Sequence, residues 1–121
     1  MEAAARHAID VLNHASATAD VDEWARITAP DCGTCTGFAR DIVAAGPDTG
    51  GAITIESAKV KDIDPGVFST VALVVSQAPY VASDGTSKDE GRLAFLLAMR
   101  FSERRVVEAL DVAGADAPWA Q

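Results

Sequence analysis

The chain has 121 residues, 49% of them hydrophobic, which matches one domain able to bury a core without metal or several disulfides. Ten Lys and Arg against 18 Asp and Glu give a net charge of -8, and such a charge repels a phosphate backbone, whose binding depends on clustered cations. Nucleic acid is therefore not an expected partner. No apolar run approaches the roughly 20 residues of a membrane-spanning helix, and the opening "MEAAARHAID" lacks the regions of a signal peptide.

Two helices are predicted first in chain order. Residues 2–17 are strong helix formers, and apolar residues recur there at three- and four-residue spacing. A second, short helix follows Asp20, which is a predicted N-cap because Glu23 lies three residues later. Trp24 falls on its apolar side, and Pro30 ends it.

A third helix is predicted over residues 31–45. Asp31 is its expected N-cap, and Gly46, followed by a proline, is its expected stop. The helical spacing predicts three inward-facing side chains: Phe38, Ile42 and Val43.

Four strands are predicted after this point, because Val, Ile, Leu and Phe replace the helical pattern in residues 52–63, 67–77, 92–101 and 105–112. Short polar links join them, and such links favour an antiparallel meander. Helices followed by antiparallel strands predict an α+β class, with three N-terminal helices laid across one face of a four-stranded sheet. We expect residues 1–114 to form a single domain and residues 115–121 a C-terminal tail.

The third predicted strand has two unlike faces. The strongly apolar one, expected to contact the helices, contains Leu93, Phe95, Leu97, Met99 and Phe101. The second strand is apolar on both faces, so the other side of the sheet would expose an apolar patch that soluble monomers usually avoid. We therefore expect a homodimer contact on that outer face, formed by Leu96, Ala94, Ala98, Arg92 and Arg100.

The two cysteines stand in "DCGTC" at the start of the third helix, where Cys32 and Cys35 share one side and can close a disulfide. A thioredoxin-like dithiol would need a strand directly upstream, and Asp31 disfavours a thiolate. A zinc site would need two more ligands, and His7 and His14 lie roughly 10 Å apart along one helix. A structural disulfide is the favoured interpretation, and neither metal nor cofactor is expected.

Catalytic candidates are few. Asp111 alternates with apolar neighbours, and an inward orientation would make it a lone carboxylate able to act as a general base. Such a residue more commonly lies on the solvent-exposed face of the sheet or at its rim. Tyr80 follows Pro79 near a strand end, where an edge or loop contact is expected. His7 and His14 are expected on an exposed stripe of the first helix.

The order of elements resembles the nuclear transport factor 2-like (SnoaL-like) fold, a cystatin-like cone in which helices pack on a curved sheet. The run "AIDVLNHASATADVDEWARITAPDCGTC", with Asn13 and the cysteine step, and then Gly50 and Gly51 before the first strand, resembles a family of uncharacterised envelope lipoproteins of high-GC Gram-positive bacteria. The resemblance implies an exported protein and brings no known activity. No lipid-modifiable cysteine stands near the start, so we expect any membrane anchor to lie outside this chain.

The leading functional hypothesis is a non-catalytic, exported binding or structural domain of the cell envelope, with a cone able to take a small hydrophobic ligand. The main alternative is a small-molecule isomerase, dehydratase or cyclase that uses Asp111 and Tyr80; a dithiol oxidoreductase is the third hypothesis, and the alternative compartment is the cytoplasm. A cone lined by Phe and Leu favours binding, whereas convergent polar groups favour an enzyme.

Overall fold

The protein is described by a computed structural model over residues 1–47, 49–101 and 105–120, with only the backbone of residue 105 described. Within these residues three helices come first: α1 (Glu2–Thr18), α2 (Asp22–Ile27) and α3 (Gly33–Ala45). The strands are β1 (Ile53–Asp64), β2 (Phe68–Gln77), β3 (Tyr80–Val81), β4 (Ser87–Lys88), β5 (Gly91–Phe101) and β6 (Arg105–Gly114), before a short 3-10 helix at Pro118–Ala120. The predicted α+β class is confirmed.

The four long strands form one antiparallel sheet in the order β1-β2-β5-β6. Each of them matches a predicted strand to within one or two residues. The polar connection after β2 contains a feature that the prediction lacked, since β3 and β4 pair there as a separate small hairpin. The meander is therefore confirmed for the main sheet, with this hairpin inserted between β2 and β5.

One face of the sheet, the inner face, is buried together with the helices. The β2 residues Val71, Leu73 and Val75 are fully buried, and Phe95, Leu97 and Met99 continue the same surface on β5. They form one cluster with residues from all three helices, which include Ala5, Ile9, Leu12, Trp24 and Cys35. The alternation predicted for the third strand is thus confirmed, because period-two side chains must all turn to the side where the apolar helix faces lie.

The start of α3 differs from the prediction in its cap. Cys32 is the N-cap, and its Sγ accepts a hydrogen bond of 3.2 Å from the Cys35 backbone N–H. Asp31 stays exposed in the turn that precedes it, where the Cys32 N–H donates to the Ala29 carbonyl. The predicted acidic cap is wrong because this turn moves the start of the helix one residue later. The Cys32 sulfur therefore caps the first helical turn in place of the Asp31 carboxylate.

Two further helix details also differ. The N-cap of α2 is Val21, while Asp20 accepts a hydrogen bond from the Asp22 backbone N–H in the turn before it. Val43 is 56% exposed, whereas Phe38 and Ile42 pack against the core. Adjacent residues on a helix point about 100° apart at 3.6 residues per turn, so the face that buries Ile42 turns Val43 to solvent.

The opposite side of the sheet, the outer face, is partly covered by the tail. Ala115, Ala117 and Ala120 pack around Val74 and Ala94, and Ala94 is 0% exposed. Trp119 remains 36% exposed. The tail itself therefore covers one end of the surface that the sequence suggested for a second copy.

Candidate binding cleft

A cleft of about 320 Å³ opens where β1 and β5 begin and β2 and β6 end. Helix α3 and the last turns of α1 form its other wall. Its apolar lining includes Leu12, Phe38, Ile42, Ile53, Leu93 and Phe95. A volume of roughly 300–1,000 Å³ with a mostly apolar lining is typical of small-molecule sites. The cleft is therefore the candidate functional site of the described chain.

Burial increases from the mouth of the cleft to its floor. Phe95 is 2% exposed and Leu12 is 4% exposed, so both lie at the floor. The Phe38 ring packs beside Phe95, with their centroids 6.3 Å apart. Val81 and Val112, which line the mouth, are 43% and 41% exposed. An apolar molecule entering here would leave water progressively as it reached the aromatic floor.

Polar side chains complete the lining, and the main ones are Asp41, Gln77 and Tyr80. Asp41 is exposed on α3, and Gln77 and Tyr80 are partly buried. Among the lining residues that the structure describes, Asp41 carries the one carboxylate, and no described Lys or Arg forms an ion pair with it. The cleft thus combines an apolar interior with an uncompensated negative charge in its lining.

Asn13 fastens α1 to the strand that starts beside the cleft. Its Nδ2 donates to the Ile53 carbonyl at 2.9 Å, and its Oδ1 accepts from the Ile53 N–H at 2.8 Å. The Asn13 side chain therefore pairs with both the backbone N–H and the carbonyl of Ile53, the first residue of β1. The available sequence signal was a polar residue beside the apolar face of α1, next to Leu12 and one turn after Ile9, and it entered the prediction through the family resemblance.

Gly50 and Gly51 let the preceding loop lie against Tyr80. Gly51 has a φ of 82°, and a Cβ there would come 3.0 Å from the Tyr80 Cβ. Gly50 has a φ of 86°, and a Cβ there would come 2.5 Å from the Pro79 carbonyl oxygen. The Gly51 N–H donates to that same oxygen at 3.1 Å. The glycine pair, noticed in the sequence only as part of the resemblance, thus holds Tyr80 at the cleft.

The two cysteines are joined by a disulfide, as predicted, with their Cα atoms 5.3 Å apart. Both are buried, and Trp24 of α2 donates its indole N–H to the Cys35 carbonyl at 2.9 Å. The disulfide lies at the start of the helix that carries Phe38, Asp41 and Ile42 to the cleft. It therefore anchors one wall of the cleft.

The structure does not bring the two catalytic candidates together. Tyr80 lines the cleft, whereas Asp111 is exposed on the outer face, opposite Leu96 in the register. Its neighbours Leu110 and Val112 take the inner-face positions, and alternation along the strand then turns Asp111 away from the cleft. The inward orientation that a general base would need is not adopted.

The two histidines are exposed, as expected. His7 borders a smaller cavity of about 110 Å³ between α1 and the β6 side of the sheet, which Ala3, Ala4, Ala8, Ile27, Met99 and Val107 also line. Within residues 1–47, 49–101 and 105–120, no three His, Cys, Asp or Glu side chains converge in a way that could hold a metal ion.

The arginines expected at an interface already have partners within the chain. Arg92 pairs with Glu56 at 2.8 Å, and Arg100 pairs with Glu108 at 2.7 Å. The Arg100 guanidinium also lies 5.3 Å from the Phe68 ring centroid. Leu96 and Ala98, which lie between these pairs, stay half-buried.

Comparison of the chain with protein-family models, with curated proteins and with solved structures gave no significant match. None of the helices in the described residues has the length and apolar character needed to cross a membrane.

Proposed function

We propose that this protein is a non-catalytic binding domain of the nuclear transport factor 2-like cone type, exported to the cell envelope or secreted, and that it holds a small hydrophobic molecule in the cleft. The observation that carries the proposal is the apolar floor of Phe95 and Leu12 beneath an open mouth. Burying apolar surface contributes about 25 cal/mol per Å², so such a floor favours a hydrophobic ligand without any covalent chemistry.

The distribution of polar groups favours binding over catalysis. An isomerase, dehydratase or cyclase needs an acid and a base that converge on one reacting atom. Asp111, the base suggested by the sequence, faces away from Tyr80. The oxidoreductase alternative loses support because Cys32 and Cys35 are 4% and 1% exposed, whereas thiol–disulfide exchange needs a sulfur that a substrate thiol can reach.

Export is supported by the cysteines and by the family resemblance. Disulfides persist in oxidising compartments and are rare in the cytoplasm, where thiols are kept reduced. A cytoplasmic protein of this sequence would be expected to hold Cys32 and Cys35 as thiols.

The binding proposal is tested with N-phenylnaphthylamine, an uncharged fluorophore that brightens in apolar surroundings. We expect saturable binding to the wild-type protein. Ile42→Trp fills the cleft and is expected to weaken binding at least about tenfold, a loss of about 1.4 kcal/mol. Val43→Trp adds the same side chain to the exposed neighbouring position and is expected to leave binding unchanged. Absence of saturable fluorescence, or equal effects of both variants, would contradict the proposal.

We also propose that two copies associate through the outer face around the half-buried Leu96, beside the Val74 and Ala94 positions that the tail packs against. One cross-strand row contains, in order across the sheet, Lys59, Ala72, Leu96 and Asp111. It runs from a positive charge through a small and a large apolar residue to a negative charge. A two-fold axis parallel to the strands and between two facing sheets would place β1 of one copy over β6 of the other.

That arrangement makes the row complementary to itself. Lys59 would face Asp111 of the second copy, and the small Ala72 would face the larger Leu96. Isologous contacts of this kind are the commonest way in which homodimers form. The internal pairing of Arg92 with Glu56 leaves the rim neutral, so β1 and β6 supply the charges that orient the two copies.

A further inference from the structure

We infer that the cleft selects ligands by the charge of their polar end: it accepts an apolar molecule that carries a cationic or uncharged hydrogen-bonding group, and it rejects the corresponding anion. This inference rests on the proposed binding function. It adds the chemical class of the ligand, which the shape of the cleft alone does not specify.

Asp41 stands beside the apolar residues that α3 contributes to the cleft. It lies on α3 three residues after Phe38 and directly before Ile42, and all three residues line the cleft. The apolar pair contacts the core, while Asp41 is exposed. A ligand with its apolar body against Phe38 and Ile42 would therefore place its solvent-facing end near this carboxylate.

The charges around the solvent-facing end of such a ligand favour a cation. The other polar side chains of the lining are uncharged and include Ser16, Gln77 and Tyr80. No described Lys or Arg forms an ion pair with Asp41, and the chain as a whole carries a net charge of -8. An anionic head would meet the carboxylate without a compensating cation, whereas a cationic head would pair with it.

The hydrogen-bonding groups of the lining also distinguish between the possible head groups of a ligand. A carboxylate only accepts hydrogen bonds, whereas the Tyr80 hydroxyl and the Gln77 amide both donate and accept. An ammonium or hydroxyl head can donate to Asp41, but a carboxylate head cannot. The expected order of affinity is therefore amine first, alcohol second and acid last.

The experiment displaces N-phenylnaphthylamine from the wild-type protein with decylamine, decanol and decanoate, each at a concentration where it stays monomeric in solution, at neutral pH and low salt. The three competitors share one alkyl chain and differ in the head. We expect decylamine to bind at least about tenfold more tightly than decanoate, since at a separation of about 4 Å the Asp41 carboxylate attracts an ammonium group and repels a second carboxylate. The difference should shrink in about 1 M salt, where the Debye length falls to about 3 Å.

Two variants separate a local effect from a global one. Asp41→Asn removes the charge at the cleft and is expected to bring decylamine and decanoate within about threefold of each other. Asp10→Asn removes the same charge from an exposed position of α1 outside the cleft, and it is expected to preserve the wild-type difference. Equal shifts in both variants would overturn the inference, because net charge would then explain the preference.

The outcomes also separate this inference from the proposed function. Equal displacement by decylamine and decanoate in the wild type would overturn the charge selection and leave the binding function standing. Failure of the fluorophore to bind at all would overturn the binding function and the charge selection with it.

Discussion

The indole N–H of Trp24 donates a 2.9 Å hydrogen bond to the backbone carbonyl of Cys35, and this contact joins α2 to the first turn of α3. Trp24 is 1% exposed, so its one polar atom is satisfied inside the core. The Trp24 carbonyl in turn accepts from the Thr28 hydroxyl at 2.8 Å. These contacts fix how α3, and the cleft wall that it carries, is seated on the core.

Trp24→Phe is expected to lower the free energy of unfolding by about 1–2 kcal/mol, because the aromatic packing is largely kept while the buried indole hydrogen bond to the Cys35 carbonyl is lost. Urea unfolding followed by circular dichroism measures the change. Trp119→Phe serves as the control, and we expect it to stay within about 0.5 kcal/mol, since that ring is 36% exposed. Equal changes in the two variants would show that the buried hydrogen bond contributes nothing specific.

The disulfide is expected to be present in freshly purified protein and to contribute about 2 kcal/mol to the free energy of unfolding, since the loop it closes is short. Intact mass after alkylation under denaturing, non-reducing conditions checks its presence. Two alkylated thiols would contradict it. Unfolding of the Cys32→Ser, Cys35→Ser double variant checks the magnitude, and the variant is expected to remain folded because the core does not depend on the bond.

Asn13→Leu is expected to lower the free energy of unfolding by about 2 kcal/mol, because Ile53 would keep an N–H and a carbonyl without their side-chain partner. Asn13→Asp is also expected to destabilise, since a carboxylate can accept from the Ile53 N–H but cannot donate to its carbonyl. Chemical unfolding measures both variants. His14→Leu, at the exposed neighbouring position, is the control and should change little; a matching loss there would refute the clamp.

Gly51→Ala is expected to weaken binding of the fluorophore and to destabilise the fold. A Cβ at this position combines a positive φ with a 3.0 Å approach to Tyr80, so the tyrosine must move. Gly66→Ala is the matched control, because Gly66 also has a positive φ, of 79°, but a Cβ there would meet nothing within 4 Å. Both variants should lose about 1 kcal/mol of stability from backbone strain, and only Gly51→Ala should alter binding. If Gly51→Ala bound the fluorophore as tightly as the wild type, Tyr80 would not be part of the binding site.

Dimerisation through the outer face is tested by charge reversal. Lys59→Glu and Asp111→Lys are each expected to dissociate the dimer by placing like charges opposite each other, and the double variant is expected to restore it. Light scattering at micromolar concentration measures the mass. A wild-type mass of 12.6 kDa would defeat the proposal, and failure of the double variant to recover the dimer would defeat the two-fold arrangement.

The helices and long strands could be predicted because each depends on a short-range pattern. Leu93, Phe95, Leu97 and Met99 alternate in the sequence, and the alternation leads directly to the buried inner face. The cap of α3 could not be predicted in the same way. Asp31 is a better cap by residue type than Cys32, and the turn that ends at Cys32 outweighs that local preference.

The site required the tertiary structure throughout. Asp111 and Val112 are neighbours in the chain, yet one faces solvent on the outer face and the other lines the cleft. Likewise, nothing in the local pattern around Asp41 distinguishes it from the other acidic residues of the helices. Asp41 borders the cleft because α3 packs beside the end of the sheet where the cleft opens.

The sequence by itself determined the class of the fold and the extent of its main elements, and it favoured a disulfide between the two cysteines, because hydrophobic periodicity and i,i+3 spacing act within a few residues. The tertiary structure decided where an open volume remains between α3 and the sheet, and which polar groups border it. It also decided that Ala115, Ala117 and Ala120 cover Ala94. Each of these depends on contacts between segments far apart in the chain, where the order of residues alone does not specify which surfaces meet.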